Sequence, residues 1–540
     1  MTVRAPSRNR RVVESLAPDV PVAAAPARRR VPRLGHIARA TWLFVGRWWD
    51  VAALVAVPMS IYLGSTSTYP DGWDYGEMQT VPYMLGITHP TGFPMFVLLG
   101  WVFSHAIPIS TVAWRLNFFC AVAVVTAMLA IRSLAIGFGA NRYVATLCAI
   151  VFGMTGMVWQ KAVHADVHAL ALGFIMTSLL AMQQALTKRS PRWLMASAAL
   201  AASAIAVHLT AIFLSPVLLI AALALFRELR WRDWFFGLLA FIVPLLTYAY
   251  LPIRSWMIVA YNLDPNLGLP FSSNSFGVDW GQFLVNSPAS FERMMNGASS
   301  AQSYGWVVVN PYHWPGFVTD WVTRMQGEIS VVVIFLALMG AIVVATKRPL
   351  QLIVVAGGFA SMPFAIAYGA VESDVMRYLL PSFGMTMALA AVAPALIQEG
   401  LQRRVATGVF VAVLVAIGWG EYTAHRPEHA YQITRANQDA IDIVRDHVPD
   451  GAIVITSWLD LTTLGYGKYV DGSLGSRLIV GGWPSDLLPS IRALTRTHRV
   501  FVLADFVIAP SLAPQHTPIA WQHPVGSWSG RDVVELVPTP

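Results

Sequence analysis

Residues Thr68–Asn117 read TYPDGWDYGEMQTVPYMLGITHPTGFPMFVLLGWVFSHAIPISTVAWRLN. The first half carries Asp71, Asp74, Glu77 and His89 and ends in a Thr-His-Pro-Thr-Gly-Phe-Pro turn over 88–94. The second half, Phe93–Pro108, is apolar. The whole stretch follows directly on a hydrophobic run at 43–63. Charged side chains beside a bilayer are costly unless they are solvated, paired or used. Three carboxylates in this position therefore need a physical explanation, and the rest of the chain supplies the frame for it.

The chain has 540 residues, of which 56% are hydrophobic and only 12% charged. Its mean hydropathy is +0.55. A soluble domain carries roughly 25% charged residues, and the apolar runs here are helix-length rather than short and alternating, which defines a polytopic α-helical membrane protein. The formal charge of +8 does not indicate nucleic-acid binding. Ten arginines fall in the first 47 residues, and most other basic residues sit in short runs between hydrophobic segments, the pattern of orientation charge. The two cysteines, Cys120 and Cys148, lie in apolar segments and imply neither a disulfide framework nor a cysteine metal site.

Hydrophobic segments fall near 43–63, 113–135, 143–160, 169–186, 193–207, 209–226, 234–252, 330–346, 351–369, 378–397 and 405–420, which predicts about eleven transmembrane helices. The connections Arg132–Arg142, Lys188–Arg192, Arg227–Arg232, Lys347–Arg348 and Arg403–Arg404 are basic and alternate with connections that are not. The positive-inside rule places the basic set in the cytoplasm together with a disordered Arg-, Ala- and Pro-rich tail over 1–40. The first hydrophobic run reads as a retained helix rather than a cleaved signal. The opposite face, outside the plasma membrane, then receives the loops 64–112 and 253–329. Within the first loop, 93–108 would invert every later basic loop if it crossed the membrane, so it is expected as an interfacial or re-entrant juxtamembrane helix, with an ordinary transmembrane helix as the alternative.

The transmembrane part is thus expected over 41–420, and the remainder, 421–540, changes character. Gly451-Ala-Ile-Val-Ile-Thr-Ser457, Arg477-Leu-Ile-Val-Gly-Gly482 and His498-Arg-Val-Phe-Val-Leu-Ala-Asp505 are buried-strand signals. Helical patterns lie between them, around 434–447, 459–469 and 484–496. A small α/β C-terminal domain outside the membrane is expected, either carrying a ligand at its strand ends or serving as an accessory domain.

This topology gathers the unusual polar residues on one face: Asp71, Asp74, Glu77 and His89 from the first outer loop; Lys161, His164, Asp166 and His168 from the second; His208 at a tight junction; Arg254 after the seventh helix; and Glu372, Asp374 and Arg377 later. Each has a plain structural alternative. Asp71-Gly72 suits a turn, His208 suits a helix cap, Arg254 suits contact with headgroups, and Arg377 suits a surface pair with Asp374. His164 and His168, spaced i,i+4, would share a helix face and form a weak metal pair beside Asp166, with no clear fourth ligand. Their convergence on one face favours a water-accessible polar cavity.

Asp74-Tyr-Gly-Glu77, followed by Gly86-Ile-Thr-His-Pro-Thr-Gly-Phe-Pro94 and Arg115-Leu-Asn117, resembles the DUF2723 family. That family belongs with the GT-C glycosyltransferases, relatives of protein O-mannosyltransferases. Trp159-Gln-Lys-Ala-Val-His-Ala-Asp-Val-His168, His208-Leu-Thr210, Tyr250-Leu-Pro-Ile-Arg254 and Asp374-x-x-x-Tyr378-Leu-x-Pro381 extend the likeness over about 45–400. The family pattern in the second loop has Ala-Glu-Val-Tyr, where this chain has Ala-Asp166-Val-His168. The resemblance implies a GT-C fold, a first outer loop bearing catalytic carboxylates, a second acidic position in the next outer loop, and a polyprenyl-phosphate-linked sugar as donor, with mannose as the family's usual sugar.

Such a donor already carries a good leaving group, so the enzyme has to deprotonate a hydroxyl of a protein, glycan or lipid acceptor and stabilise the departing phosphate. Asp74 is expected as base, with Glu77 as orienting partner or alternative base. Arg254 and Arg377 are expected at the phosphate, His89 and His208 as hydrogen-bond donors, and Asp166 as an orienting group. One displacement predicts inversion at the anomeric carbon. No cofactor is required on this reading, and the involvement of a divalent metal stays open. The rival class is a transporter or flippase of a lipid-linked or polar substrate, which would want charges at mid-membrane and matching repeats; neither stands out.

Overall fold

The computed structural model describes residues 34–264, 266, 276–277, 284–296, 314–362, 376–397, 399–431, 435–482, 493–504, 520–528 and 531–538. The tail 1–33, most of the loop 265–313 and the segment 363–375, with Glu372 and Asp374, lie outside the described residues. The chain divides into two units, Met1–Trp49 and Asp50–Pro540. The first contributes the start of α1, and everything below belongs to the second.

In chain order the helices are α1 Leu34–Ser65, α2 Trp73–Met84, α3 Pro94–Ala106, α4 Val112–Phe138, α5 Arg142–Met154, α6 Gly156–Val163, α7 Val167–Lys188, α8 Pro191–Val207, α9 Leu214–Ala224, α10 Trp231–Leu245, α11 Tyr250–Ala260, α12 Pro288–Asn296, α13 Trp314–Ile329, α14 Val331–Lys347, α15 Leu352–Gly358, α16 Met376–Ala390, α17 Leu401–Tyr431, α18 Ala436–His447 and α19 Trp458–Tyr469. Each of the expected hydrophobic segments is helical over most of its described length, and 363–369 of the segment at 351–369 lies outside the described residues. Among the described residues six helices are long and apolar enough to cross a membrane, or eight when each of two bent pairs counts once. The difference from about eleven is one of length. Pro191–Val207 and Leu209–Ala224 are shorter apolar helices, about 25 Å long against a hydrocarbon core of about 30 Å. The segment expected at 143–160 is bent by 72° between α5 and α6.

Several helix starts are closed by side chains, which satisfy backbone N–H groups that an apolar setting would otherwise strand. Thr111 accepts from the Trp114 amide at the start of α4, Asn141 from Tyr143 at α5, and Asp166 from His168 at α7. Gly139, at φ 115°, closes the far end of α4. The apolar half of the opening stretch is α3, only 13 residues, with Phe96 and Val97 buried and Val102 exposed. That two-sided character suits an element lying along a surface rather than one fully embedded.

The C-terminal region forms a six-stranded sheet in the order β1-β3-β2-β4-β6-β5, with β1 Phe276–Gly277, β2 Ile453–Thr456, β3 Leu478–Gly481, β4 Val500–Ala504, β5 Ala520–Trp528 and β6 Arg531–Pro538. The three central strands are parallel, and α19 is the crossover from β2 to β3. They are buried on both faces, as parallel strands are. Ile453, Ile455, Val500 and Val502 pack on one side, and Val454, Phe501 and Leu503 pack on the other with Leu461 and Leu464 of α19. β1 comes from the long outer loop and pairs antiparallel with β3. The strand signals at 451–457, 477–482 and 498–505 correspond to β2, β3 and β4. The β5–β6 hairpin was not foreseen, and most of the helix expected at 484–496 lies outside the described residues.

α19 lies against α2. Gly72 and Gly76 make the approach possible: a Cβ at Gly72 would sit 2.6 Å from Leu459 Cδ1, and one at Gly76 would sit 2.4 Å from the Asp71 carbonyl and 2.8 Å from Thr462 Oγ1. The Thr463 hydroxyl donates to the Asp71 carbonyl at 3.0 Å, and the Tyr466 hydroxyl accepts from the Ala113 amide at 3.1 Å. Arg531 of β6 grips the fully buried Asp460 of α19 at 2.8 Å, a charge pair whose disruption would strand a buried carboxylate.

Candidate active site at the first outer loop

Three carboxylates stand on or just before α2, in three different environments. Asp71 is buried. Its Oδ2 accepts from Gln79 Nε2 at 2.7 Å and meets His164 Nδ1 at 3.0 Å, and Gln79 also reaches Asn117 Oδ1 at 3.0 Å. Glu77 is completely buried. Its Oε1 accepts the His89 amide at 2.7 Å, and its Oε2 forms a short contact with His89 Nδ1. Asp74 is only partly buried. Trp458 of α19 brings the one hydrogen bond to its side chain among the described residues, from Nε1 to Oδ1 at 2.9 Å. Asp71 and Glu77 are thus held by the fold, and Asp74 is the accessible carboxylate of the three.

His89 sits where the Thr88–Pro94 turn passes over α2. Gly92, at φ +84°, allows the turn to close, with its amide on the His89 carbonyl at 2.9 Å. Burial opposes a charge on the His89 ring, but Glu77 and Asp74 outweigh it and raise the pKa to about 9. At neutral pH this is an imidazolium beside a buried carboxylate. Its ring meets Phe93 and Trp458 edge-on, with centroids 5.0 Å and 6.1 Å away.

The second polar segment is the break between α6 and α7. Asp166 Oδ2 pairs with Lys161 at 2.8 Å, and its Oδ1 accepts both the amide and Nδ1 of His168, at 2.7 Å and 2.8 Å. Burial works against its charge, but Lys161 and His168 hold it well below the usual carboxylate range. Lys161 also donates to the Tyr75 hydroxyl at 3.0 Å, which ties this segment to α2. His164 and His168 do not share a helix face. The helix ends at Val163 and restarts at Val167, so His164 stacks on Tyr75 and pairs with Asp71 while His168 turns to His208 and Tyr378. Among the described residues no group of three or more His, Cys, Asp or Glu side chains is arranged to hold a metal ion.

His208 ends α8 and begins the next turn, its Nδ1 2.8 Å from Thr210 Oγ1. Both readings of it hold together: it caps the turn, and its ring joins a cluster. The cluster is His168 at 4.6 Å, Tyr378 at 5.6 Å and Phe93 at 5.6 Å. Arg377 lies over the Tyr378 ring at 5.2 Å, and its charge acts on His89, His168 and His208. His168 Nε2 is buried with no hydrogen-bond partner, an orphan polar atom aimed within this group. Arg254 is engaged elsewhere: its Nε donates to the Leu85 carbonyl at 2.6 Å and its Nη2 to Met84 at 3.4 Å, which holds the C-terminal end of α2. Asp374 lies outside the described residues. Sequence reasoning missed Trp458, Tyr75 and Gln79 as site residues. Lys161 and Asn117 were in the quoted motifs but had no assigned part.

The arrangement pairs one accessible carboxylate with an imidazolium, two further imidazoles and a guanidinium, all at the ends of apolar helices. It belongs to a polytopic helical membrane protein whose fold is shared with ArnT from Cupriavidus metallidurans bound to undecaprenyl phosphate, at TM-score 0.53 and 13% identity over 90% of this chain and 98% of that one. In sequence, residues 74–233 match the family described as the protein O-mannosyl-transferase TMEM260 N-terminal domain. Protein O-mannosyl-transferase TMEM260 of Mus musculus is 29% identical over 223 residues, which are 39% of this chain and 32% of that protein. Protein O-mannosyl-transferase tmem260 of Dictyostelium discoideum is 30% identical over 115 residues, 21% of this chain and 14% of the relative. The aligned part thus spans about a third or less of either relative. The family match begins at Asp74 and runs through Glu77, His89, Asp166, His168 and His208.

Proposed function

We propose that the protein is a membrane glycosyltransferase that moves a sugar, mannose by analogy with its relatives, from a polyprenyl-phosphate donor to a hydroxyl acceptor at the outer face of the plasma membrane. The observation that carries this reading is the contrast within the first loop. Asp71 and Glu77 are locked by several partners, while Asp74 stands partly open beside the Arg377, His89, His168 and His208 group. A base has to reach its proton, and a phosphate site has to be cationic and partly desolvated.

In the proposed reaction the acceptor hydroxyl gives its proton to Asp74 as its oxygen bonds to the anomeric carbon. The bond from that carbon to the phosphate oxygen breaks, and its electron pair leaves on the polyprenyl phosphate. Arg377 and the His89 imidazolium stabilise the phosphate charge. His208, whose Nδ1 accepts from the Thr210 amide, can donate from Nε2 to the phosphate or the sugar, and His168, whose Nδ1 faces Asp166, can accept a sugar hydroxyl at Nε2. The proton on Asp74 then passes to water. A single displacement inverts the anomeric configuration. Glu77 keeps His89 charged and oriented, and Asp166 with Lys161 fixes the second segment against Tyr75. Arg254 supports α2 rather than the phosphate. The ArnT neighbour, bound to undecaprenyl phosphate, supports the donor class. The relatives' names support a protein hydroxyl as acceptor.

The test is transfer by purified protein in nanodiscs from a panel of polyprenyl-phosphate sugars to a Ser/Thr-rich peptide, with Asp74→Asn as control. Loss of transfer with unchanged membrane folding is expected for Asp74→Asn. Near-normal turnover by that variant removes Asp74 from the role, and no transfer from any donor in the panel removes the donor class.

A further inference from the structure

Most of the site comes from the membrane part of the chain, and one contribution comes from the C-terminal sheet. Trp458 opens α19 directly after β2, its indole Nε1 donates to Asp74 Oδ1 at 2.9 Å, and its ring meets His89 edge-on. We propose that Trp458 is a positioning residue for transfer: the sheet holds α19 against α2, and the indole N–H fixes one oxygen of Asp74 so that the other is presented to the acceptor hydroxyl. This rests on Asp74 acting as the base.

Three features support it. An indole N–H is a donor only and does not titrate near neutral pH. It orients a carboxylate without competing for the proton the carboxylate must accept. The torsion that turns a carboxylate about its last bond is broad, so an Asp on the first turn of a helix needs an external partner to hold its plane. Finally, the placement of Trp458 is over-determined. Leu459 and Thr462 sit against the bare Cα atoms of Gly72 and Gly76, Thr463 and Tyr466 bond to the backbone at Asp71 and Ala113, and Asp460 is clamped by Arg531. These contacts leave the indole little freedom, and they persist if the N–H alone is removed. The plain alternative, an interfacial tryptophan that contributes only ring packing, makes the opposite prediction for the conservative variants.

The experiment compares full-length wild type, Trp458→Phe and Trp458→His in nanodiscs at pH 8. The donor is decaprenyl-phosphate-mannose and the acceptor a Ser/Thr-rich peptide. Phenylalanine keeps an aromatic ring and loses the donor, whereas histidine keeps a ring N–H at similar reach with less bulk. The expected result is a kcat for Trp458→Phe lower by roughly ten- to a hundred-fold, the scale of one hydrogen bond to a charged group. The donor KM should stay within about two-fold, and Trp458→His should recover part of kcat. Hydrogen exchange over residues 71–80 should be the same in all three, because the other contacts keep α19 docked. Trp458→Phe turning over like wild type, or Trp458→His falling as low as Trp458→Phe, overturns the proposal. A faster exchange of 71–80 in Trp458→Phe also overturns it, since the role is then to hold the helices together. A wild type inert with this donor and with the wider panel overturns the functional reading and this proposal with it, an outcome distinct from an active wild type matched by Trp458→Phe.

Discussion

Raising the pH should dismantle the His89–Glu77 pair, and its cost can be worked out. The ordinary pKa of a histidine is 6.5, and in the folded protein that of His89 is raised to about 9. Between these values the folded ring keeps a proton that the unfolded one has lost. Its contribution to stability is complete below 6.5, declines by about 1.4 kcal/mol per pH unit as the pH rises, and is gone above about 9. The full span corresponds to about 3 kcal/mol, and since 26% of the His89 side chain is exposed, solvent screening lowers this to about 2 kcal/mol. The assay is an NMR titration of ring-labelled histidine in nanodiscs, with the His89 signal assigned by its disappearance in His89→Gln. It is combined with apparent melting temperatures from pH 6.5 to 9.5. The His89 ring should titrate near 9. Wild type should exceed His89→Gln in melting temperature at pH 6.5 by roughly 2 °C, with the gap closing by pH 9.5. A ring midpoint at or below 6.5, or parallel pH dependence of the two proteins, refutes the reasoning, because Glu77 would then not be holding a charged ring.

Gly76→Ala should separate α19 from α2, since the new Cβ would meet Thr462 Oγ1 of α19 at 2.8 Å and, at 2.4 Å, the backbone carbonyl of Asp71 to which Thr463 of α19 donates. A cost of about 1–3 kcal/mol is expected, read as faster hydrogen exchange in α19. Gly64→Ala, with nothing within 4 Å of its Cβ, should leave exchange there unchanged. Arg254→Gln should lower the melting temperature and loosen residues 81–86 while leaving the donor KM of the remaining folded enzyme within about two-fold, whereas Arg377→Gln should raise that KM by roughly ten-fold or more; the reverse ranking would exchange the two assignments.

Helix-length apolar runs are direct physical signals, and among the described residues the expected segments are largely helical. Whether a helix is long enough to cross a bilayer by itself depends on local breaks, and those were harder to see. The bend at Thr155 interrupts a run that reads as one segment over 143–160, and the i,i+4 spacing of His164 and His168 suggested a shared face that the extended backbone at His164 and Asp166 does not build. The motif residues Asp74, Glu77, His89, Asp166 and His208 stood out in the sequence because polar and charged groups beside a bilayer are costly. How the three carboxylates divide into two locked groups and one open one was not legible, since it depends on side-chain geometry: Glu77 is held by His89 twelve residues on, while Asp71 is held by Gln79 and by His164, 93 residues away. Trp458 had no sequence signal at all: it lies 384 residues from Asp74, in a strand-to-helix turn that any small α/β domain would have. Arg254 showed the opposite limit. An arginine at a membrane surface reads as an anion ligand, and only the backbone geometry at Leu85 shows what it holds.

The pairing of Phe276–Gly277 with Val480 and Gly481 also sets an order of events during synthesis. The loop strand leaves the ribosome about two hundred residues before its partner, and at 5–20 residues per second it waits on the order of ten to forty seconds for β3 to be made and moved to the same side of the membrane. During that interval two full-length apolar helices, Met376–Leu396 and Leu401–Arg426, and the bent pair Trp321–Lys347 have still to be inserted. With the sheet outside the membrane, as proposed, its edge is completed across a translocation step, and a helix inserted with the wrong orientation would leave β1 and β3 on opposite sides of the bilayer. Correct pairing of this short strand is a consequence of topology already achieved, so its protection from exchange could serve as a reporter of correct membrane insertion.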